Sequence, residues 1–214
     1  MATVVFVGYS VLHSLLLVAA LLLSWRSPGW DTAILAFVAL GLVYDNAIVA
    51  AGRWIGEGDR LAGLAKWRYL LHILGSPLLI IAGWQVALRA GFAWAETSTA
   101  MWLAIALTAS LIGIDLWTRY RGLDLAPVNF GGTLRYKDVR FNPEIPVILT
   151  TLILLGLGIL FDRQRQWPWL EAGAIAMLVT GAIPIRLVGV LASNGGEVLF
   201  CASLLLSVWH FSHG

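Results

Sequence analysis

Apolar residues fall into seven long runs along the chain, separated by short segments that hold most of the charges. A helix rises about 1.5 Å per residue, so about 20 apolar residues cross the roughly 30 Å hydrocarbon core of a bilayer. The pattern predicts an all-α integral membrane protein, a single domain over residues 1–214 with about seven transmembrane helices in one bundle. The predicted spans are 3–23, 32–51, 67–88, 100–117, 145–161, 170–185 and 197–211, of which the last is the shortest.

Composition supports this class of protein. Hydrophobic residues make up 59% of the chain and charged residues only 12%, whereas a soluble domain carries about a quarter charged residues. The net charge is +2, and the basic residues lie in short loops rather than in a stripe, so nucleic acid is not an expected partner. The single cysteine, Cys201, excludes an intrachain disulfide.

The distribution of basic residues predicts the orientation in the membrane. Of the 14 lysines and arginines, only Arg26, Arg89, Arg163 and Arg165 lie beside the first, third and fifth loops, counted along the chain between the predicted spans. The other ten flank the second, fourth and sixth loops, which the positive-inside rule places in the cytoplasm. We therefore expect a cytoplasmic amino terminus, an external carboxyl terminus and insertion in a bacterial inner (cytoplasmic) membrane.

The longest loop joins spans four and five, from Arg119 to Glu144, and is expected on the cytoplasmic side. It contains Pro127, the pair Gly131–Gly132 and an alternation of polar and apolar residues over 133–136. A loop of this length commonly has structure of its own. The sequence predicts either a short hairpin or a re-entrant lid here.

Polar residues within the spans are the main functional signal, because an ionisable group in a bilayer costs several kcal/mol unless it is paired or solvated. On the predicted topology they gather in the cytoplasmic leaflet instead of being scattered. This one-sided gathering predicts a polar pocket that faces the cytoplasm. The residues are Asp45, Asn46, Arg68, His72, Asp115, Arg186, Asn194 and Glu197.

Helical spacing arranges some of these residues on common faces, because residues four apart are neighbours on a helix. Asp45, Val49 and Arg53 form one such stripe, and Arg68 with His72 forms part of another. Stripes that carry charge are expected to point into the bundle.

Two glycine-containing segments border the predicted pocket. Residues 52–60 mix glycines with two acids, including Glu57, and two arginines, which suits a loop that contacts a polar ligand. Residues 194–197 are expected to be flexible backbone at the start of span seven, with the carboxylate of Glu197 at a helix N-terminus. At the other face of the membrane, Asp31 is expected to cap span two.

Ion pairing is the structural alternative for the same charges. Ion pairs at the interface between bilayer and water would neutralise charge and hold helices together without any catalytic role. The candidate pairs are Arg53 with Asp45, Arg119 with Asp115, and Arg186 with Glu197.

Several known chemistries of seven-helix membrane proteins do not fit. A retinal protein needs a lysine in its last helix, but the only lysines, Lys66 and Lys137, lie in predicted loops. A three-histidine zinc hydrolase needs its histidines together, whereas His72 is near the inner face and His210 and His213 are near the outer face. The P-loop, GxSxG, HExxH and CxxC patterns are absent.

The sequence specifies no cofactor. A bis-histidine haem has no specific signal in it. Carboxylates with an imidazole suit divalent cations, but the spacing of the acidic residues and His72 is a weak signal, so no metal site is predicted.

Three hypotheses follow for function. The first is an intramembrane enzyme acting on a lipid or isoprenoid whose polar end enters the cytoplasmic pocket. The second is a small-solute transporter or channel, for which the outer leaflet offers only mild polar groups such as Ser76, Thr108 and Thr180. The third is a noncatalytic scaffold whose fourth loop binds a partner.

The enzyme hypothesis assigns roles to the polar residues of the pocket. Acid–base chemistry is predicted for His72, Asp45, Asp115 and Glu197. Binding of the polar head is predicted for Asn46, Arg53, Glu57, Arg68, Arg186 and Asn194.

Overall fold

The described part of the chain, residues 2–140 and 144–213 of a computed structural model, forms a helical bundle with one β-hairpin. Short 3₁₀ turns at Ala93–Glu96 and Tyr120–Gly122 flank the fourth helix. The helices are α1 Ala2–Arg26, α2 Trp30–Ile55, α3 Asp59–Arg89, α4 Ser98–Thr118, α5 Ile145–Arg165, α6 Trp169–Ala182, α7 Ile185–Val188 and α8 Leu191–His213, and the strands are β1 Leu125–Phe130 and β2 Thr133–Asp138.

Six of these helices, α1 to α5 and α8, are long and apolar enough to cross a membrane within the described ranges. This confirms the prediction of a multi-pass helical membrane protein. The predicted sixth span differs, because α6 has 14 residues and is about 21 Å long, less than a bilayer core. Pro184 follows α6, and the chain continues as the single turn α7.

The two termini lie at opposite ends of the bundle. At the hairpin end, the amide of Ala2 donates a hydrogen bond to the carbonyl of Gly131 in the β-turn (3.2 Å). At the other end, Nη1 of Arg89, the last residue of α3, donates to Oγ of Ser212 near the end of α8 (3.0 Å). We refer to these as the hairpin end and the opposite end.

The surface of the bundle is apolar where a bilayer would surround it. Val4, Leu15 and Leu22 of α1 and Trp102 and Leu103 of α4 are each more than half exposed. A soluble protein rarely leaves a contiguous apolar surface of this extent uncovered. These faces therefore have the character of lipid-facing surfaces.

A large apolar cluster fills the bundle from its middle to the opposite end. It joins residues of α1, α2, α3, α5, α6 and α8. Leu154, Phe161, Leu170, Leu204 and Val208 are completely buried within it. Thr108 of α4 is also committed to packing, because its Oγ1 donates to the carbonyl of Pro77 inside α3 (3.1 Å).

The loop between α4 and α5 forms a hairpin, which confirms one of the two predicted structures. Strand β1 pairs antiparallel with β2 from Leu125 opposite Asp138 to Phe130 opposite Thr133. The two connecting residues, Gly131 and Gly132, have φ angles of 56° and 86°. A two-residue turn with positive φ at both positions matches the twist of the strands, and glycine adopts this conformation without steric cost.

The hairpin is fixed to α2 and α3. The amide of Gly58, before α3, donates to the hydroxyl of Tyr136 (3.0 Å), and the amide of Asp138 donates to the hydroxyl of Tyr69 in α3 (2.9 Å). Gly52 of α2 lies so close to the carbonyl of Leu134 that a β-carbon at this position would overlap it.

Replacing Gly52 with Ala is expected to destabilise the protein by about 1–3 kcal/mol, because the new methyl group meets backbone that cannot rotate away. The control is Gly63→Ala in α3, where a β-carbon meets nothing within 4 Å. Since alanine is the better helix former by about 1 kcal/mol, the control should leave stability equal or improved. Thermal unfolding of the two purified variants measures the difference, and similar melting temperatures would contradict tight docking of the hairpin.

The last helix begins earlier than predicted. Helix α8 starts at Leu191, so residues 194–197 are helical and the prediction of flexible backbone there is wrong. The glycines permit close packing, because a β-carbon on Gly196 would overlap the hydroxyl of Thr180 in α6 and one on Gly195 would meet the hydroxyl of Tyr9 at 2.9 Å.

The expected contact of Asp31 with the first turn of α2 is present, although the residue is not the N-cap. Helix α2 begins at Trp30 after Gly29, so Asp31 lies inside the first turn, and its Oδ1 accepts a hydrogen bond from the amide of Thr32 (2.8 Å). Asp31 is completely buried, and its carboxylate accepts hydrogen bonds from Nε and Nη2 of Arg89 at 2.6 and 3.0 Å. The residue therefore ties α2 to the end of α3.

Candidate functional site

An ion pair between α2 and α3 lies at the centre of the predicted pocket. Nη2 of Arg68 is 2.7 Å from Oδ1 of Asp45, and Nε of Arg68 donates to the same oxygen at 2.8 Å. Both side chains are less than one-fifth exposed. The predicted pairing of Asp45 with Arg53 does not occur, because the guanidinium of Arg53 lies over the ring of Trp54 on the surface.

His72 and Glu197 form a second contact beside this pair. His72 lies one helical turn after Arg68, and its Nε2 is 3.9 Å from Oε1 of Glu197 in α8. The distance is too long for a direct hydrogen bond. Both side chains line the same cavity, so a ligand atom in the cavity beside this contact could reach an acid and a base.

Two asparagines join α2 to α8 near Glu197. Nδ2 of Asn194 donates to Oδ1 of Asn46 (2.9 Å), and Nδ2 of Asn46 donates to the carbonyl of Leu42. Asn46 is completely buried and does not line the cavity, whereas Asn194 does. The amide pair thus joins α2 to α8 three residues before Glu197.

Asp115 lies in a neighbouring charged cluster at the end of α4. Oδ2 of Asp115 is 3.7 Å from Nη1 of Arg119, which confirms the predicted pair, and Nη2 of Arg119 donates to Oε1 of Glu144 at 2.6 Å. Asp115 and Arg119 are both buried, and among the described residues Nη1 of Arg119 has no hydrogen-bond partner. Arg119 and Glu144 line the cavity, whereas Asp115 lies behind them.

The hairpin supplies further charges to the cavity. Asp138 accepts two hydrogen bonds from the guanidinium of Arg140, at 3.1 and 2.9 Å. Burial acts to raise the pKa of Asp138, but these bonds and those from the backbone amides of Arg140 and Asp124 outweigh it, so the pKa lies below its usual value. Asp138 is therefore ionised and paired.

Arg135 differs from the other arginines of the cavity. It is 8% exposed, and no carboxylate of the described residues lies within ion-pair distance of its guanidinium. Burial lowers the pKa of Arg135, and the nearby charge of Arg68 lowers it further, whereas Tyr69 and Asp45 act in the opposite direction. An arginine nevertheless stays protonated in proteins, so Arg135 presents a buried positive charge to the cavity.

These side chains surround an open cavity of about 820 Å³ at the hairpin end. It continues into a narrow cavity of about 50 Å³ between α2, α3, α5, α6 and α8, and both are lined by Asp45, Arg68, His72 and Glu197. The narrow cavity is otherwise mainly apolar, with Val38, Leu42, Leu71, Leu79 and Phe200 among its lining residues. The combined space is therefore polar at its mouth and apolar at its depth.

The rim of the larger cavity includes exposed apolar side chains. Ile148 of α5 is 48% exposed, and Ile183 after α6 is 36% exposed. The cavity is consequently continuous with the apolar surface of the bundle as well as with its polar end.

Besides Asn46 and Asp115, three predicted site residues are not placed in this cavity. Glu57 is exposed in the turn between α2 and α3, and Arg53 is on the surface nearby. The side chain of Arg186 lies outside the described residues, as does its predicted pair with Glu197. Across residues 2–140 and 144–213, no three His, Cys, Asp or Glu side chains lie close enough to hold a metal ion.

No binding role was predicted for the basic residues of the fourth loop, whose number only indicated the orientation of the chain in the membrane. Arg135 and Lys137 both line the cavity. Alternate residues of a strand face the same side, so their spacing of two was a signal that they act together.

The chain was also compared with known proteins. No protein-family model matches it, and no curated protein is significantly similar to it in sequence.

Proposed function

We propose that this protein is an intramembrane enzyme acting on a lipid or isoprenoid whose polar end occupies the cavity at the hairpin end. The observation that carries the proposal is the continuity between a charged cavity and a narrow apolar one. A substrate with a polar head and an apolar chain matches this division. Exposed Ile148 and Ile183 at the rim would admit such a molecule from the bilayer.

The proposed chemistry is general acid–base catalysis by His72 and Glu197. They come from different helices and approach to 3.9 Å at the junction of the two cavities, where the head of an amphipathic substrate would meet its chain. Catalytic contacts are commonly long in the absence of substrate and tighten when it binds. The pair of Asp45 and Arg68 holds one wall of this junction.

A transporter has less support. The apolar cluster fills the bundle between the narrow cavity and the opposite end in the part of the chain described. Thr108 and Thr180, predicted as mild polar groups of a path, donate to carbonyls of their own or a neighbouring helix. A scaffold has no need for the buried, unpaired charge of Arg135, which is costly unless an anion binds it.

The proposed orientation places the hairpin end in the cytoplasm of a bacterial cell. The lysines and arginines of the α2–α3 turn and of the hairpin all lie at this end. The positive-inside rule is the physical basis of this assignment.

Native mass spectrometry of the full chain, gently purified in maltoside detergent and followed by lipid extraction, tests the proposal. We expect an amphipathic molecule to copurify and to be lost from Thr151→Phe, because Thr151 lines both cavities and a phenyl ring would fill their junction. The matched control is Leu152→Phe, on the exposed face of the same helix. Equal lipid content in the two variants would mean that the lipid binds elsewhere.

A further inference from the structure

Charge pairing within the cavity leaves a positive excess near β2. Among the lining residues, Arg68 pairs with Asp45, Arg119 with Glu144, and Arg140 with Asp138. Glu197 faces His72. Of the lining cations in the described ranges, Arg135 and Lys137 have no ion-pair partner.

Arg119 also lines the cavity, but it adds no free donor to this excess. Its Nη2 donates to Glu144, and its Nη1 is buried and lies 3.7 Å from Oδ2 of Asp115, behind the cavity wall. Arg135 is 8% exposed, so its guanidinium has lost most of its contact with water. A buried cation without a counter-charge is costly, and an anion in the cavity would supply one.

The backbone that carries Arg135 is held in place before any ligand binds. Arg135 belongs to a strand that is docked on α2 through Gly52 and on α3 through Tyr69. A guanidinium on a docked strand loses less conformational entropy on binding, which favours affinity.

We propose that Arg135 and Lys137 bind a phosphate group, and that the substrate's polar head is a phosphomonoester. The inference rests on the proposed function and specifies the substrate class of the same site. A phosphomonoester carries a charge of about −1.5 to −2 at neutral pH and has three acceptor oxygens, whereas a carboxylate carries −1 and has two. Two unpaired cations match the charge of the phosphate better, and the guanidinium and ammonium groups together offer enough N–H donors for its three oxygens.

Isothermal titration calorimetry of the full chain in maltoside micelles, with octyl phosphate as the probe, tests the inference. We expect Arg135→Gln to weaken octyl phosphate binding by about 10- to 100-fold, the usual effect of losing a hydrogen bond to a charged group. Arg135→Lys keeps the charge and should recover part of the loss. The matched control is Arg121→Gln, at the same end of the bundle, where the guanidinium is exposed over the ring of Trp117.

Arg135→Gln is buried and its folding must be checked by thermal unfolding. If it does not fold, Lys137→Gln replaces it, because Lys137 is exposed and its replacement should not unfold the protein. Loss of this charge should weaken the binding of octyl phosphate by about three- to tenfold. Unchanged affinity in whichever of these variants folds would overturn the inference.

Two further probes identify the source of the phosphate. Octanol should bind at least tenfold more weakly than octyl phosphate, and equal binding would overturn phosphate recognition while leaving an amphiphile-binding cavity and the proposed function intact. Inorganic phosphate should also bind more weakly, because it gains nothing from the apolar cavity. Binding of inorganic phosphate as tight as that of octyl phosphate would assign the site to free phosphate and overturn the lipid head.

Discussion

His72→Asn is expected to lower turnover of the copurifying lipid by about 10²- to 10⁴-fold, the usual contribution of a general acid or base. Asparagine keeps a hydrogen-bonding group of similar reach but cannot exchange a proton near neutral pH. Glu197→Gln should have an effect of the same order, because its carboxylate faces the same junction at 3.9 Å from the imidazole. In each variant, the loss is expected in kcat more than in KM.

The measurement is the rate of conversion of the lipid identified by mass spectrometry, followed over time with each purified variant. His213→Asn is the control, since His213 is exposed at the opposite end of the bundle and its ring contacts Trp209 of its own helix. Retention of the wild-type rate within a factor of three in His72→Asn would refute an acid–base role for this residue. Loss of octyl phosphate binding in the same variant would assign it to binding instead.

Asp31→Asn is expected to reduce the free energy of unfolding by about 3–5 kcal/mol, the effect of removing one partner from a buried ion pair. Asp31 is completely buried, and its two carboxylate oxygens accept hydrogen bonds from Arg89 at 2.6 and 3.0 Å. The neutral amide would leave the guanidinium of Arg89 without a counter-charge. Arg89 also donates to Ser212 and to the carbonyl of Ser27, so the ends of four helices depend on its position.

The matched control for this change is Asp59→Asn. Asp59 is also in the first turn of a helix, where its charge interacts with the helix dipole, but it is exposed and is not in an ion pair of the described residues. Its replacement should lower the free energy of unfolding by less than about 1 kcal/mol. Chemical unfolding in mixed micelles compares the two variants, and equal losses would show that the Arg89 pair adds nothing beyond the dipole effect.

The membrane class and most of the helices were predictable from the sequence. A helix hydrogen-bonds its own backbone and a bilayer core requires about 20 apolar residues, so local composition reveals each long span. Helix α5 begins at the predicted residue, Ile145. The hairpin was predictable as one of two alternatives, because the pair Gly131–Gly132 suits a two-residue turn.

The ends of helices were less predictable wherever packing, not hydropathy, determines them. Helix α3 begins at Asp59, eight residues before the predicted span, because it extends beyond the apolar segment and packs against the hairpin. Helix α8 begins at Leu191. Its first turns contain two glycines, which are typical of a loop in sequence but here allow close contact with α1 and α6. Neither contact is encoded by the residues next to it in sequence.

The sequence by itself determined that the polar groups gather at one end of the bundle, since span positions fix depth in a bilayer. Only the tertiary structure decided which groups meet: Asp45 pairs with Arg68 from another helix instead of Arg53 from its own. It also placed Arg119 and Arg135, which come from a helix end and a strand, around one cavity. The physical reason is that depth follows from local hydropathy, whereas rotation of each helix and docking of the hairpin depend on contacts between residues far apart in the chain.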